Sequence, residues 1–350
     1  MAHHKHRDGT GHHERQRGGQ RTQRQPRQTA YVLGAVFGVL SGLIAAQGIA
    51  QSNFVLFCLG TSLAGFYAAC VQSYRFAAVD TVTDKDRQAR AISTIMVGGL
   101  LAAIIGPQIV IWTRDALPMT PFAGSFYGQA ALALLALPLL AALRLPTPSR
   151  SATPDGGAAR PLRDIVRTPR FIVACAAGVT SYGLMAFLMT ATPMAMVGCG
   201  LSVGEAALGV QWHVLAMFAP SFVTGRLIAR FGKARITALG LGLTALSGGI
   251  ALMGMELLHF WGALIVLGVG WNFGFIGATA LLTDSYRPAE RAKVQAVNDF
   301  VMFGCVALAS FGSGHLLHTA GWNAINAGML PLIAAVLLLL GWHARRPATV

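Results

Sequence analysis

Residues 225–235 read Gly-Arg-Leu-Ile-Ala-Arg-Phe-Gly-Lys-Ala-Arg, a cationic turn around Gly232 set between two apolar runs, Ala206–Ile228 and Ile236–Met255. A run of about 20 apolar residues is long enough as a helix to cross roughly 30 Å of hydrocarbon. The chain therefore turns back at this point and leaves its charges on one face of a membrane. Eight more runs have the same character. Thr29–Ala50, Asn53–Tyr74, Ala91–Trp112 and Pro121–Leu143 precede residue 144, while Phe171–Thr190, Phe260–Leu282, Val294–His315 and Trp322–Trp342 follow it. With the 225–235 turn inside, all of the 27 lysines and arginines except Arg114 fall on the inner side. Bias of this kind in short loops sets orientation, so both termini and the 144–170 connection are expected in the cytoplasm and the chain in the inner membrane.

Composition agrees. A mean hydropathy of +0.56, with 54% hydrophobic and 11% charged residues, leaves too little polar surface for a water-soluble fold. The isoelectric point near 10.5 would suggest nucleic acid in a soluble protein. Here the cations sit in short loops beside lipid headgroups, so membrane lipids are the expected partners and nucleic acid is not. Cys58, Cys70, Cys175, Cys199 and Cys305 lack the paired spacing of a disulfide framework or metal knuckle and read as packing residues. The first 28 residues are too polar for a secretory signal, so the first span is expected to serve as an uncleaved start.

The segment Arg144–Arg170, rich in proline, glycine, serine and arginine, divides the chain. It is expected to link a four-span bundle (29–143) to a six-span bundle (171–343), flanked by a polar His/Arg-rich tail (1–28) and a short tail (344–350). The tail histidines, His3, His4, His6, His12 and His13, read as part of a basic leader, with metal binding as the alternative. An internal echo links the halves. Residues 84–103, DKDRQARAISTIMVGGLLAA, parallel residues 288–309, PAERAKVQAVNDFVMFGCVALA: an acid–arginine pair, a second cation, then an apolar helix. Parallel repeats of this kind belong to transporter architectures.

The 225–235 turn resembles the short cytoplasmic loop that is the signature of the major facilitator superfamily. Ala229 stands where the family often has an acid. Tyr74-Arg-Phe-Ala-Ala-Val-Asp80, Gly270-Trp-Asn-Phe-Gly274, Leu282-Thr-Asp284 and Val297-Asn-Asp299-Phe300 are similar to a bacterial permease branch of the same family. The resemblance implies an all-α membrane transporter of about 10 helices (4 + 6) in two bundles. It would move a small organic solute by alternating access, coupled to protons, as a monomer without cofactor. Gly232-Lys233 lacks the upstream glycine of a phosphate-binding loop, in keeping with a gradient-driven step. Matching the halves leaves Phe171–Thr190 and Ala206–Ile228 without partners, so two family helices are expected to lack counterparts here. A truncated, non-transporting protein is one alternative. A drug exporter is the other, favoured by Gly106-Pro107 alone.

Polar and aromatic residues within spans are the candidate solute contacts: Tyr67, Gln72, Gln108, Tyr182, Gln211, Trp212, His213, Trp271 and Asn272. Bonding between helices is the competing reading for each. Ionisable groups are costly inside a bilayer, so Arg75 and Asp299 are candidate gating or coupling groups. Burial of Asp299 against neighbouring helices would suit it to carry a proton. Asp284 with Arg230 and Arg235 is expected to form an inner charge cluster, with Asp80 its counterpart in the repeat. Glu256-x-x-His259 and His315-x-x-His318 have helical metal spacing but no third ligand nearby in sequence. No nucleophile–base constellation points to an enzyme.

Overall fold

The computed structural model describes the backbone of residues 26–80, 85–143 and 159–345, and the side chains of 28–71, 97–143 and 159–345. Eleven α-helices and no strand occur among these residues. They are α1 Pro26–Ala50, α2 Phe54–Asp80, α3 Lys85–Thr113, α4 Ala123–Ala142, α5 Leu162–Val166, α6 Pro169–Gly198, α7 Val203–Phe218, α8 Ser221–Phe231, α9 Lys233–Met253, α10 Leu257–Leu282 and α11 Arg291–Ala344. Each expected span finds its helix, with two differences. The run 206–228 is broken into α7 and α8, bent by 43°, because Pro220 lacks the N–H that would continue the ladder and its ring clashes with the preceding turn. The last two runs share the 54-residue α11, interrupted at Gly321 with φ 80°. A straight helix of that length would extend about 80 Å, more than twice a hydrocarbon core. Its two arms, 291–320 and 322–344, are therefore separate spans.

The chain divides into two compact units: residues 1–92 with 112–150, and residues 93–111 with 151–350. In the first unit α1 packs against α2 and α4. The contact depends on small residues, as membrane helices require; a Cβ on Gly48 would lie 2.5 Å from the backbone nitrogen of Phe57.

In the second unit α9 packs on α10, and α6 on α10 and α11. Leu188, Met196, Phe260, Leu264, Leu267, Ile325 and Ile333 form its interior. Polar atoms there are paired across helices: Ser247 donates to the Ala263 carbonyl at 2.8 Å and Trp322 Nε1 to Ala251 at 3.0 Å. Meanwhile large apolar side chains face outward, among them Leu258 at 76%, Phe311 at 87% and Leu338 at 74% exposure. In water such a surface would aggregate; in lipid it is the solvated face.

Two structural details belong to the segment between the bundles. Ile165 of α5 is buried with Phe171, Cys175, Leu282 and Val294, so this end of the expected linker packs into the second unit. Residues 1–25, 81–84, 144–158 and 346–350, which include most of both tails and the first part of the linker, lie outside the described residues.

Candidate functional site

Helices α6, α7, α10 and α11 bring five aromatic rings together within the second unit. Tyr182 meets Trp271, Phe275 and Phe303 edge-on, at centroid distances of 5.5, 5.3 and 5.8 Å. Trp271 and Phe275, one helical turn apart on α10, stack at 5.0 Å, and Phe218 of α7 approaches Trp271 at 6.5 Å. Edge-to-face and offset pairs suit the ring quadrupoles and add about 0.5–1.5 kcal/mol each beyond burial. Trp271 is 8% exposed, yet its indole nitrogen has no acceptor among the described residues. A buried donor without an acceptor costs about 1–3 kcal/mol, so the cluster holds an unspent hydrogen bond.

Gln211 precedes Phe218 by seven residues, two turns of α7, and so lies on the same face about 10 Å away. There Gln108 of α3 donates from Nε2 to Gln211 Oε1 at 2.9 Å. Farther along the same pair of helices, a Cβ on Gly99 would lie 3.8 Å from the Phe218 ring. The aromatic cluster and the amide pair thus border one strip of the second unit.

The other polar candidates have different surroundings. Asn272 is fully buried. Its Nδ2 donates to the Met217 carbonyl and to Ser221 Oγ, both at 2.6 Å, and its Oδ1 accepts from Thr224 at 2.5 Å. These partners surround the α7–α8 break, so Asn272 ties α10 to the bend. His213 is also fully buried, its Nδ1 donating to the Leu264 carbonyl at 2.7 Å while Nε2 lacks a partner among the described residues. Trp212, the residue before His213 on α7, is 44% exposed. Tyr67 is half-buried in the first unit, where a Cβ on Gly38 would lie 3.1 Å from its ring. The side chains of Gln72, Arg75 and Asp80 lie outside the described residues.

At the inner end, Asp284 follows α10 and pairs with Lys233 at 2.6 Å. The expected partners behave otherwise: Arg230 lies over the Phe231 ring at 5.2 Å, and no ion pair of Asp284 with Arg235 occurs among the described residues. Lys233 was already in the quoted turn; which of its cations reaches Asp284 is a matter of helical phase. A cleft of about 400 Å³ lined by Arg170, Val173, Leu281, Asp284 and His343 opens beside this pair. Asp299 is exposed, and its hydrogen-bond partner among the described residues is Asn298 Nδ2 at 3.3 Å. The burial expected for it is absent, because its stretch of α11 turns that side chain away from the packed face.

A second pair escaped the sequence reading. Glu290, 1% exposed, accepts from Arg160 Nε at 2.9 Å and Nη2 at 2.8 Å, and from the backbone nitrogens of Arg160 and Arg287, each at 2.9 Å. The Arg160 guanidinium and then the Arg287 N–H hold this carboxyl far below the usual glutamate range. The bonds clasp residue 160 to the turn between α10 and α11.

The chain has counterparts among known proteins. A family model for the Major Facilitator Superfamily matches residues 19–298 and, overlapping it, 175–350. The riboflavin transporter RfnT of Brucella anthropi is 62% identical over 314 residues, which are 90% of this chain and 79% of RfnT. The uncharacterized MFS-type transporter YdeG of Bacillus subtilis is 30% identical over 338 residues, 92% of this chain and 77% of YdeG. Among solved structures, the nucleoside transporter NupG superposes with a TM-score of 0.67 at 13% identity, covering 93% of this chain and 85% of NupG, a likeness of fold.

Proposed function

The chain belongs to the major facilitator superfamily as a multi-pass membrane transporter of a small solute, not an enzyme, and we propose that this solute is riboflavin. The geometric observation that carries the proposal is the cluster of Tyr182, Trp271 and Phe275 with its unspent indole N–H. Stacked and edge-on rings suit a planar, uncharged heteroaromatic solute, and riboflavin is such a molecule. Identity of 62% with a riboflavin transporter directs the choice among planar solutes.

Movement is by alternating access and is coupled to protons. The protein works as a monomer in the inner membrane with both termini in the cytoplasm, an orientation favoured by the lysine and arginine bias. The bend at Pro220, held by Asn272, supplies a discontinuity in a helix beside the cluster, as transporter sites commonly use. Purified protein in sealed vesicles should take up riboflavin saturably, read by flavin fluorescence, and an imposed proton gradient should drive accumulation above the external concentration. Trp271→Ala should abolish saturable uptake. Absence of riboflavin flux in the unmodified protein would overturn the proposal.

A further inference from the structure

The amide pair permits a finer statement, which rests on the riboflavin reading. Gln108 and Gln211 spend one hydrogen bond on each other, although two carboxamides offer four N–H donors and two carbonyl oxygens. Among the described residues, the Gln211 NH2 group and the Gln108 carbonyl have no other partner. Gln211 is 9% exposed and Gln108 half-buried, so the pair is partly enclosed while its remaining donor and acceptor groups stay within reach of a solute. Among the described residues, no lysine, arginine or acid is bonded to the pair. It is a neutral reader.

We infer that Gln108 and Gln211 are the specificity-determining residues that read the cyclic imide edge of the flavin while its rings lie toward the aromatic cluster. That edge presents carbonyl, N–H and carbonyl in order. Gln108 accepts from the N–H with its oxygen and donates to one flanking carbonyl, the bidentate geometry by which glutamine reads a base edge. Gln211 donates to the other carbonyl. Binding exchanges the bond between the glutamines for three bonds to the solute, and the resting pair keeps both amides partly satisfied when the site is empty. The separation of about two turns of α7 between Gln211 and Phe218 lets one extended ring system reach both.

The probes are riboflavin and N3-methylriboflavin, which differ only in replacing the imide hydrogen by a methyl group. Fluorescence quenching with purified protein should give N3-methylriboflavin a Kd about tenfold weaker, since a site built to bond an N–H rejects an analogue without it. Gln108→Met and Gln211→Met should each weaken riboflavin binding about tenfold and bring the two flavins close to equal affinity. Equal affinity of the two flavins in the unmodified protein would overturn the inference without any variant, so a variant that misfolds cannot protect it. Riboflavin transport with the same discrimination in both variants would also overturn it, yet leave the proposed function standing. Failure of the unmodified protein to bind or move riboflavin would remove both.

Discussion

Asn272 and Trp271 are neighbours in sequence with opposite uses. The amide of Asn272 is consumed by Met217, Ser221 and Thr224, whereas the Trp271 indole N–H is left over. Asn272→Leu should therefore act on stability first. Interhelical bonds in membrane proteins are worth about 0.6 kcal/mol each, so loss of three should cost roughly 2 kcal/mol, measurable as denaturant unfolding in detergent. Trp271→Phe keeps a ring in the stack and removes only the donor. It should leave the unfolding transition within about 1 kcal/mol while weakening riboflavin binding; an unchanged Kd would remove the indole from the site. Asp299→Asn tests coupling. Because the side chain is exposed, the substitution should change stability by no more than about 0.5 kcal/mol and leave gradient-driven accumulation intact. Loss of accumulation with exchange at equal concentrations spared would contradict that expectation and give Asp299 a coupling role. In sequence these residues look alike, polar groups in apolar runs, and only their partners separate them.

At the level of elements, the turn between α8 and α9 is a single residue. Gly232 has φ 89° and ψ 152°, a region essentially reserved for glycine. Gly232→Ala should destabilise the second unit by about 1–3 kcal/mol, and a variant as stable as the parent would contradict the geometry. The clasp of Arg160 on Glu290 gives a pH dependence whose sign follows from its cause. The folded carboxyl titrates below its ordinary value of 4.5, so its contribution is fully present above that pH and is lost as pH falls through the acidic range below it. Glu290→Gln should lower the melting temperature at pH 7, and the gap between variant and parent should narrow as the pH is lowered below about 4.5; a constant gap would refute the assignment. The spans themselves were legible, since hydropathy over about 20 residues suffices to mark them. The break at Pro220 was not, because a proline within a membrane helix can kink it or be accommodated, and neighbouring helices decide which. The clasp was also hidden. Glu290 stood in the repeat beside Arg291, with nothing in the chain to tie it to a residue 130 positions earlier.

For the whole molecule the orientation is open to direct test. Cys199 is exposed and lies in an expected outer loop, so as the sole cysteine it should react with an impermeant maleimide in intact cells. A sole cysteine placed at Ala159 should react only after permeabilisation; labelling from outside would reverse the topology. Salt should matter little to the fold, since the ion pair of Lys233 with Asp284 is partly exposed and such pairs contribute about 0–1 kcal/mol. By itself the sequence determined that this protein crosses a membrane many times, where it does so, and which loops carry the cations. Those properties are additive over contiguous residues: transfer of an apolar run into lipid depends on its own composition, and loop charge on a local count. Only the tertiary structure decided that Lys233 rather than Arg230 or Arg235 meets Asp284, that Asn272 is spent at a bend, and that Gln108 meets Gln211 from 103 residues away. Hydrogen bonds and ion pairs reach about 3 Å, so which groups are satisfied and which remain for a solute is settled by helix phase and packing, which no local stretch of sequence contains.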